Sequence, residues 1–299
     1  HLRLVKGAYW DSEIKHAQVF GYEDYPVYSK KSLTDISFLL CAKEILKNEK
    51  IYAKFATHNA HTISSVHQLG QGKDYEFQRL YGMGELLYQS AEKVLNLEKK
   101  PSVYAPIGSY KDLLPYLVRR LLENGANSSF INRLLDPETD ANWLAENPAI
   151  RIEKEKIDIP LPKNIFTERK NSLGFDLSEN SNLENLEKSI SAHKKNKINA
   201  ESIYVNRDEK EKVGQKVYSI ANNEEIGTAI FDDPTNVKSA LENFASEKWS
   251  KYSVQERSQI LIKISDDIEK DPSELIFYLL NEAGKTIQNA IDEIREAID

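Results

Sequence analysis

The chain has 299 residues, 40% of them apolar and 29% charged, with a formal net charge of -7. That length suffices for a sizeable core and predicts more than one domain, while the acidic balance argues against a nucleic-acid partner. No apolar run approaches the roughly 20 residues a membrane helix needs, and a single cysteine, Cys41, excludes a disulfide framework or a cysteine metal site, so the composition suits a soluble cytosolic protein.

In chain order, Leu2 to Lys6 reads as an apolar strand, followed by a helix over about 12–20 that Asp11 or Ser12 can cap. Pro26 and Tyr28 interrupt, and Thr34-Asp35 opens a helix reaching about Asn48, with Cys41 as a buried small hydrophobe within it. Tyr52 to Thr57 predicts a second, buried strand with a helix over about 60–71, and Glu76 to Leu80 a third with a helix over about 84–95. Ser102 to Ala105 is the fourth. Strands alternating with helices at this spacing predict a parallel sheet with right-handed crossovers. Polar and aromatic residues gather just past the strand ends, at Lys6 to Trp10, Thr57 to Asn59, Arg79 to Tyr81 and Tyr104, where barrel enzymes carry their sites.

The helix after the fourth strand places Leu113, Leu114, Leu117, Val118, Leu121 and Leu122 on one face and Arg119, Arg120, Glu123, Asp112 and Tyr116 on the other. Adjacent guanidiniums can hold a carboxylate by paired, charge-assisted hydrogen bonds. Spacing alone favours an ordinary surface pair between Arg119 and Glu123, four apart.

Four segments carry a resemblance: RLVKGAYWD (3–11), FATHNA (55–60), EFQRLYGMG (76–84) and YLVRRLLENGANSSF (116–130). In this order they resemble the proline dehydrogenase domain of the bifunctional proline dehydrogenase/L-glutamate γ-semialdehyde dehydrogenases, the proline utilization A family. The resemblance implies an α/β fold in which residues 1–136 are the C-terminal half of a (β/α)8 barrel. It also implies FAD as cofactor and oxidation of L-proline to 1-pyrroline-5-carboxylate by hydride transfer.

Residue by residue, the resemblance makes Arg119 and Arg120 the grip on the proline carboxylate, with Tyr9, Tyr104 and Leu80 lining the substrate pocket. Arg3 would stand beside the hydride-accepting part of the flavin, where a fixed positive charge favours the reduced ring. Arg3, Tyr9, Tyr104, Arg119 and Arg120 thus form the expected catalytic set. Val5, Lys6, Gly7, Ala8 and Trp10 would contact the cofactor from the first strand end, with Gly7 permitting close backbone approach. Thr57, His58 and Asn59 would form a cofactor-binding turn, Gln78 would touch the flavin ring, and Glu123 would reach the ribose hydroxyls. His58 is assigned binding only, and a lone histidine equally suits a structural hydrogen bond. No metal site is expected.

Residues 137–200 are polar and rich in charge, and read as a linker with one short helix near Leu183 to His193. From 201 onward, strands at Val217 to Ala221 and Ile226 to Phe231 and helices over 234–245, 254–269 and 272–282 are predicted. Gly284-Lys285-Thr286 lacks the first glycine and the preceding strand of a phosphate loop. The segment from Glu282 to Asp299 resembles an early helix of the family's second, aldehyde dehydrogenase, enzyme. Residues 201–299 would therefore be its N-terminal segment, with its nucleophilic cysteine, its NAD-binding sheet and glutamate semialdehyde oxidation belonging to a longer parent. A histidine at position 1 leading straight into a strand suggests the same.

The resemblance further implies a quinone electron acceptor, a peripheral membrane contact and a homo-oligomer in the parent. Four strands alone would leave unpaired edges and an apolar interior open to water, so the isolated polypeptide is expected to be inactive. The alternative from another class is a non-catalytic carboxylate-binding or scaffold protein derived from a barrel enzyme.

Overall fold

A computed structural model describes residues 1–7, 9–125, 142, 145–155, 159–201, 213–242 and 249–299, with backbone alone at 121–125 and 213. Ala8 and the side chain of Glu123 therefore lie outside the described residues. Contacts divide the chain into two units: His1–Lys15 with Tyr25–Ile159, and His16–Asp24 with Pro160–Asp299.

In the first unit, β1 (Leu2–Val5), β2 (Ala53–Ala56), β3 (Tyr75–Leu80) and β4 (Ser102–Tyr104) form an all-parallel sheet in that order. Crossovers are made by α2 (Lys31–Lys47), α3 (Ala60–Leu69) and α4 (Glu85–Leu95), while α1 (Trp10–Phe20) follows β1 and α5 (Tyr110–Gly125) follows β4. Register assigns the two faces. Leu4, Phe55 and Phe77 align across β1 to β3 on one face; Arg3, Lys54 and Glu76 align on the other. The apolar face meets the helices, and Phe55 and Phe77 join Phe38, Ala42, Leu46, Ile63, Val66, Tyr88 and Ala91 in one buried cluster.

β2 is buried at Ala53, Phe55 and Ala56 as expected, and only Lys54, which faces away from the helices, is partly exposed. Several expectations need correcting. The interior face of the sheet is mixed: Arg3, Lys54, Glu76, Gln78 and Ser102 share it with Val5, Ala56 and Leu80. α2 begins at Lys31 rather than at Thr34-Asp35. Asp35 caps nothing: its carboxylate accepts from Lys6 Nζ at 2.5 Å and from Lys31 Nζ at 2.9 Å. Cys41 is exposed, because the buried positions of α2 are Ser32, Asp35, Phe38, Ala42 and Leu46, a three-to-four spacing that leaves Cys41 off the stripe. On α5, Leu114, Leu117 and Val118 remain exposed, so the apolar face read from its sequence is uncovered among the described residues.

The stretch expected to be a linker is divided between the units. α6 (Pro148–Lys154) belongs to the first, where Glu155 accepts from the amide and hydroxyl of Ser32 at 3.2 and 2.7 Å and Lys30 Nζ donates to the Ile152 carbonyl at 3.0 Å. From Pro160 the chain falls within the second unit: Asn171 and Ser172 are buried, and α7 (Asn180–Ala192) supplies the helix expected near Leu183.

The second unit carries a three-stranded sheet of order β5 (Ile198–Glu201), β7 (Glu225–Phe231), β6 (Val213–Tyr218), parallel between β5 and β7 and antiparallel between β6 and β7. α8 (Pro234–Glu242), α9 (Val254–Lys270), α10 (Ser273–Asn281) and α11 (Ile287–Ile298) follow. Leu186, Ile276, Ala290, Ile291 and Ile294 form its core. Gly284 takes a left-handed φ of 65° and Thr286 caps α11 by accepting from the Asn289 amide, so the Gly-Lys-Thr triplet joins two helices.

Residues 16–24 are built into this second unit. Gly174 donates to the Gly21 carbonyl at 2.8 Å, and Arg295 donates to the carbonyls of Val19 and Ser172 at 2.8 and 3.2 Å. A Cβ on Gly174 would stand 1.9 Å from the Phe20 carbonyl oxygen. Gly174→Ala is therefore expected to force the two segments apart and to lower the unfolding temperature of this unit, read by calorimetry.

Candidate active site

The interior face of the first unit's sheet is the candidate site. Its rows run Arg3, Lys54, Glu76, then Val5, Ala56, Gln78, Ser102, then Leu80 and Tyr104. Neighbouring strands lie about 4.8 Å apart, so a flat sheet would hold β1 and β4 roughly 14 Å from each other. The guanidinium carbon of Arg3 nevertheless lies 4.3 Å from the centre of the Tyr104 ring. The side chains of the first and last strands thus meet over this face, as they do on the inside of a barrel wall.

A second pairing crosses the same span. The guanidinium of Arg119, on α5, lies 6.0 Å from the ring centre of Tyr9, in the turn after β1. Arg120 lies 5.5 Å from the ring of Tyr116 one turn earlier. Each arginine of the pair thus rests against an aromatic ring, a stacking that lysine supports less well. Tyr116, to which the sequence assigned no role beyond the polar face, is a residue of this site.

The turn after β2 is anchored to β3. Tyr88, buried on α4, donates its hydroxyl to the Thr57 and Gln78 carbonyls at 2.9 and 3.4 Å. The Leu80 amide donates to His58 Nε2 at 3.3 Å. Asn59 accepts from the Thr62 amide and caps α3. Thr57 Oγ1 accepts from the Asn59 amide at 3.2 Å. These three residues, expected to bind cofactor, hold a rigid turn at the strand ends.

An imidazole nitrogen that accepts an amide hydrogen must be unprotonated, and burial, followed by the nearby charge of Arg79, pushes the His58 pKa down. Below the ordinary value of about 6.5 the unfolded chain then binds the proton more readily than the folded one, so stability falls with pH from there toward the lower folded value. His58→Gln should lose this component. The difference between wild-type and variant unfolding temperatures, followed from pH 8 to 5, reports it.

The remaining expected residues are dispersed more widely. Lys6 directs its ammonium to Asp35 and to Thr62 Oγ1, the latter at 3.0 Å. Burial disfavours both charges of the Lys6–Asp35 pair, but Lys6 and Lys31 together hold the Asp35 carboxyl below its ordinary range. Trp10 donates its indole N–H to the Tyr28 carbonyl at 3.0 Å. Leu80 is 3% exposed, and Val5 stands open on the inner face. At Gly7 an added Cβ would meet nothing within 4 Å, so no protein atom of the described residues requires glycine there and the space is open to a ligand.

Lys54 and Glu76, central on the inner face, also carried no assigned role. Their signal was present in the period-two alternation of Lys54-Phe55 and Glu76-Phe77-Gln78. Cations at Arg3, Arg119 and Arg120, hydrogen-bonding groups at Gln78 and Tyr104, and the open space at Gly7 together suit an anionic redox cofactor beside a small carboxylate. Among the described residues no group of side chains is arranged to hold a metal ion.

A parallel sheet with Arg3 on its inner face and Arg119 and Arg120 on the helix after its last strand defines the class, an α/β barrel wall with an anion-binding inner face. The proline dehydrogenase family model matches residues 1–133, and the aldehyde dehydrogenase family model matches residues 204–299. The bifunctional PutA proteins of Salmonella typhimurium and Escherichia coli K12 are each 40% identical over 319 residues, covering 100% of this chain and 24% of the relative. A crystal structure of a Bradyrhizobium japonicum proline utilization A variant matches with a TM-score of 0.80 at 35% identity, over 99% of this chain and 28% of that one. The chain belongs to the bifunctional proline utilization A family. Its fold is the C-terminal half of a (β/α)8 barrel, a connecting segment and the N-terminal part of an aldehyde dehydrogenase domain, and it spans 24% of the length of those two relatives. Both families are redox enzymes that require a redox cofactor. No described helix is long and apolar enough to cross a membrane.

Proposed function

We propose that this chain contributes the substrate-gripping half of an FAD-dependent enzyme that oxidises L-proline to 1-pyrroline-5-carboxylate. The observation that carries this reading is the double pairing of Arg3 with Tyr104 and Arg119 with Tyr9 across the inner face. When bound, the flavin supplies the acceptor for two electrons from the proline ring. Arg119 and Arg120 bind the carboxylate and fix which ring carbon faces that acceptor. Tyr9 and Tyr104 pack the pyrrolidine, and Leu80 closes an apolar wall. Arg3 places a fixed cation beside the reacting centre. Val5, Lys6, Gly7, Ala8, Trp10, the turn at Thr57 to Asn59, Gln78 and Glu123 line the cofactor.

In this reading residues 1–136 are the dehydrogenase half-barrel, 137–200 the connection, and 201–299 the opening of a module that, complete, oxidises glutamate semialdehyde with NAD. The parent passes electrons to a quinone as a cytoplasmic homo-oligomer with a peripheral membrane contact.

In the complete protein, L-proline should bleach the flavin absorbance under anaerobic conditions. A complete protein purified without flavin, or one whose flavin proline does not reduce, would instead establish the non-catalytic scaffold. The 299-residue polypeptide by itself should purify colourless. The half-face, on which Arg3, Val5 and Ser102 stand open, cannot surround a cofactor.

A further inference from the structure

On β3, Glu76 and Gln78 project from the same face, two residues apart. Glu76 Oε1 lies 2.7 Å from Gln78 Nε2. The carboxylate is itself held by Lys54 Nζ on β2 at 3.3 Å and the Tyr52 hydroxyl at 3.4 Å, and it accepts from the Ser102 side chain on β4 as well. A glutamine amide has two nearly isosteric ends, one that donates and one that accepts, and left to itself it can turn either toward a ligand. A carboxylate only accepts. The end facing Glu76 must therefore be the nitrogen, and the carbonyl Oε1 is the end left for the cofactor. Burial pushes the Glu76 carboxyl up, yet the bonds from Gln78 and Lys54 outweigh it and keep the group below its ordinary range, so it remains an acceptor at neutral pH.

We propose that Glu76 is a positioning residue for the redox cofactor: clamped by Lys54 and Tyr52, it locks the Gln78 amide so that its carbonyl oxygen is presented to an N–H of the flavin ring. This rests on the reading above, in which Gln78 touches that ring. Lys54 and Glu76 thereby acquire a purpose on the inner face, since one neutralises the other and only the orientation of Gln78 is passed on.

The test is a double-mutant cycle in the complete protein, reading the flavin dissociation constant by reconstitution and the midpoint potential by spectroelectrochemistry. Glu76→Ala removes the acceptor and leaves either end of the Gln78 amide free to face the cofactor. Glu76→Asp keeps the charge but withdraws it from the amide. Each should weaken flavin binding about five- to tenfold, the scale of one neutral hydrogen bond, and each should shift the potential. In a Gln78→Leu background both substitutions should change binding less than about twofold. Equal effects in the two backgrounds would mean that Glu76 acts through its own charge or through folding, and would overturn the inference, as would no effect of Glu76→Asp in the parent background. Gln78→Leu alone tests the underlying reading separately: if it leaves flavin affinity, spectrum and potential unchanged, Gln78 does not contact the ring.

Discussion

Replacing Arg119 and Arg120 together by alanine in the complete protein should remove measurable L-proline oxidation, and each single replacement should raise the KM for proline by one to two orders of magnitude. A charge-assisted hydrogen bond is worth about 1.5–3 kcal/mol, and about 1.4 kcal/mol is a factor of ten. The two losses compound because neither arginine can take over the other's partner: Arg119 is set against Tyr9 and Arg120 against Tyr116. Lysine at either position should recover only part of the loss, since a point charge lacks the planar fork. Arg119 is exposed, so its removal should leave the unfolding temperature within a degree or two of the wild type. Steady-state kinetics on the two single variants and the double variant check this, and an undiminished double variant would end the assignment of these residues to the substrate.

Phe55→Ala should be the most damaging single change in the first unit. Phe55 is fully buried, and its ring packs against Phe38 and Phe77 at 6.4 Å and edge-on to Tyr75 at 5.8 Å. Deleting such a ring costs about 3–5 kcal/mol through lost burial and the cavity left behind, a large part of the 5–15 kcal/mol that holds a domain together. The site should suffer with the core, since Phe55 sits between Lys54 and Ala56 on β2 and its seating sets how those two face inward. A denaturant titration would show the unfolding midpoint displaced strongly to lower concentration; a shift equivalent to less than about 1 kcal/mol would mean that the cluster around Phe55 is not what stabilises this sheet.

How much of the site was legible differs from residue to residue. Arg119 and Arg120 stood out as adjacent arginines on the polar side of an amphipathic helix, but their spacing fits a surface pair with Glu123, and it was the motif resemblance that pointed to a carboxylate. His58 and Asn59 were found as a turn, but their hydrogen bonds to Leu80 and Thr62 were not, since those depend on where β3 and α3 come to rest. Asp35 was placed at the opening of α2, and its pairing was not seen because its partner Lys6 lies 29 residues away in sequence, beyond the reach of any local pattern. The polar stretch after 137 looked like a linker for a similar reason: Asn171 and Ser172 carry nothing apolar to announce burial, and they are covered because their hydrogen-bonding groups find partners at Pro162 and Gln18, and at Asp299 and Arg295.

The order of elements, the parallel sheet, the motif residues and the family they point to follow from the sequence alone. Such features are written in local spacing: two-residue alternation in strands, three-to-four in helices, and short runs at strand ends. What only the tertiary structure decided is which groups meet. Arg3 reaches Tyr104, and Arg119 reaches Tyr9, across the width of the sheet, while Glu76 serves Lys54 and Gln78 at once. Each of these contacts depends on strand register and helix placement, which arise from packing the whole unit and leave no mark at any single position.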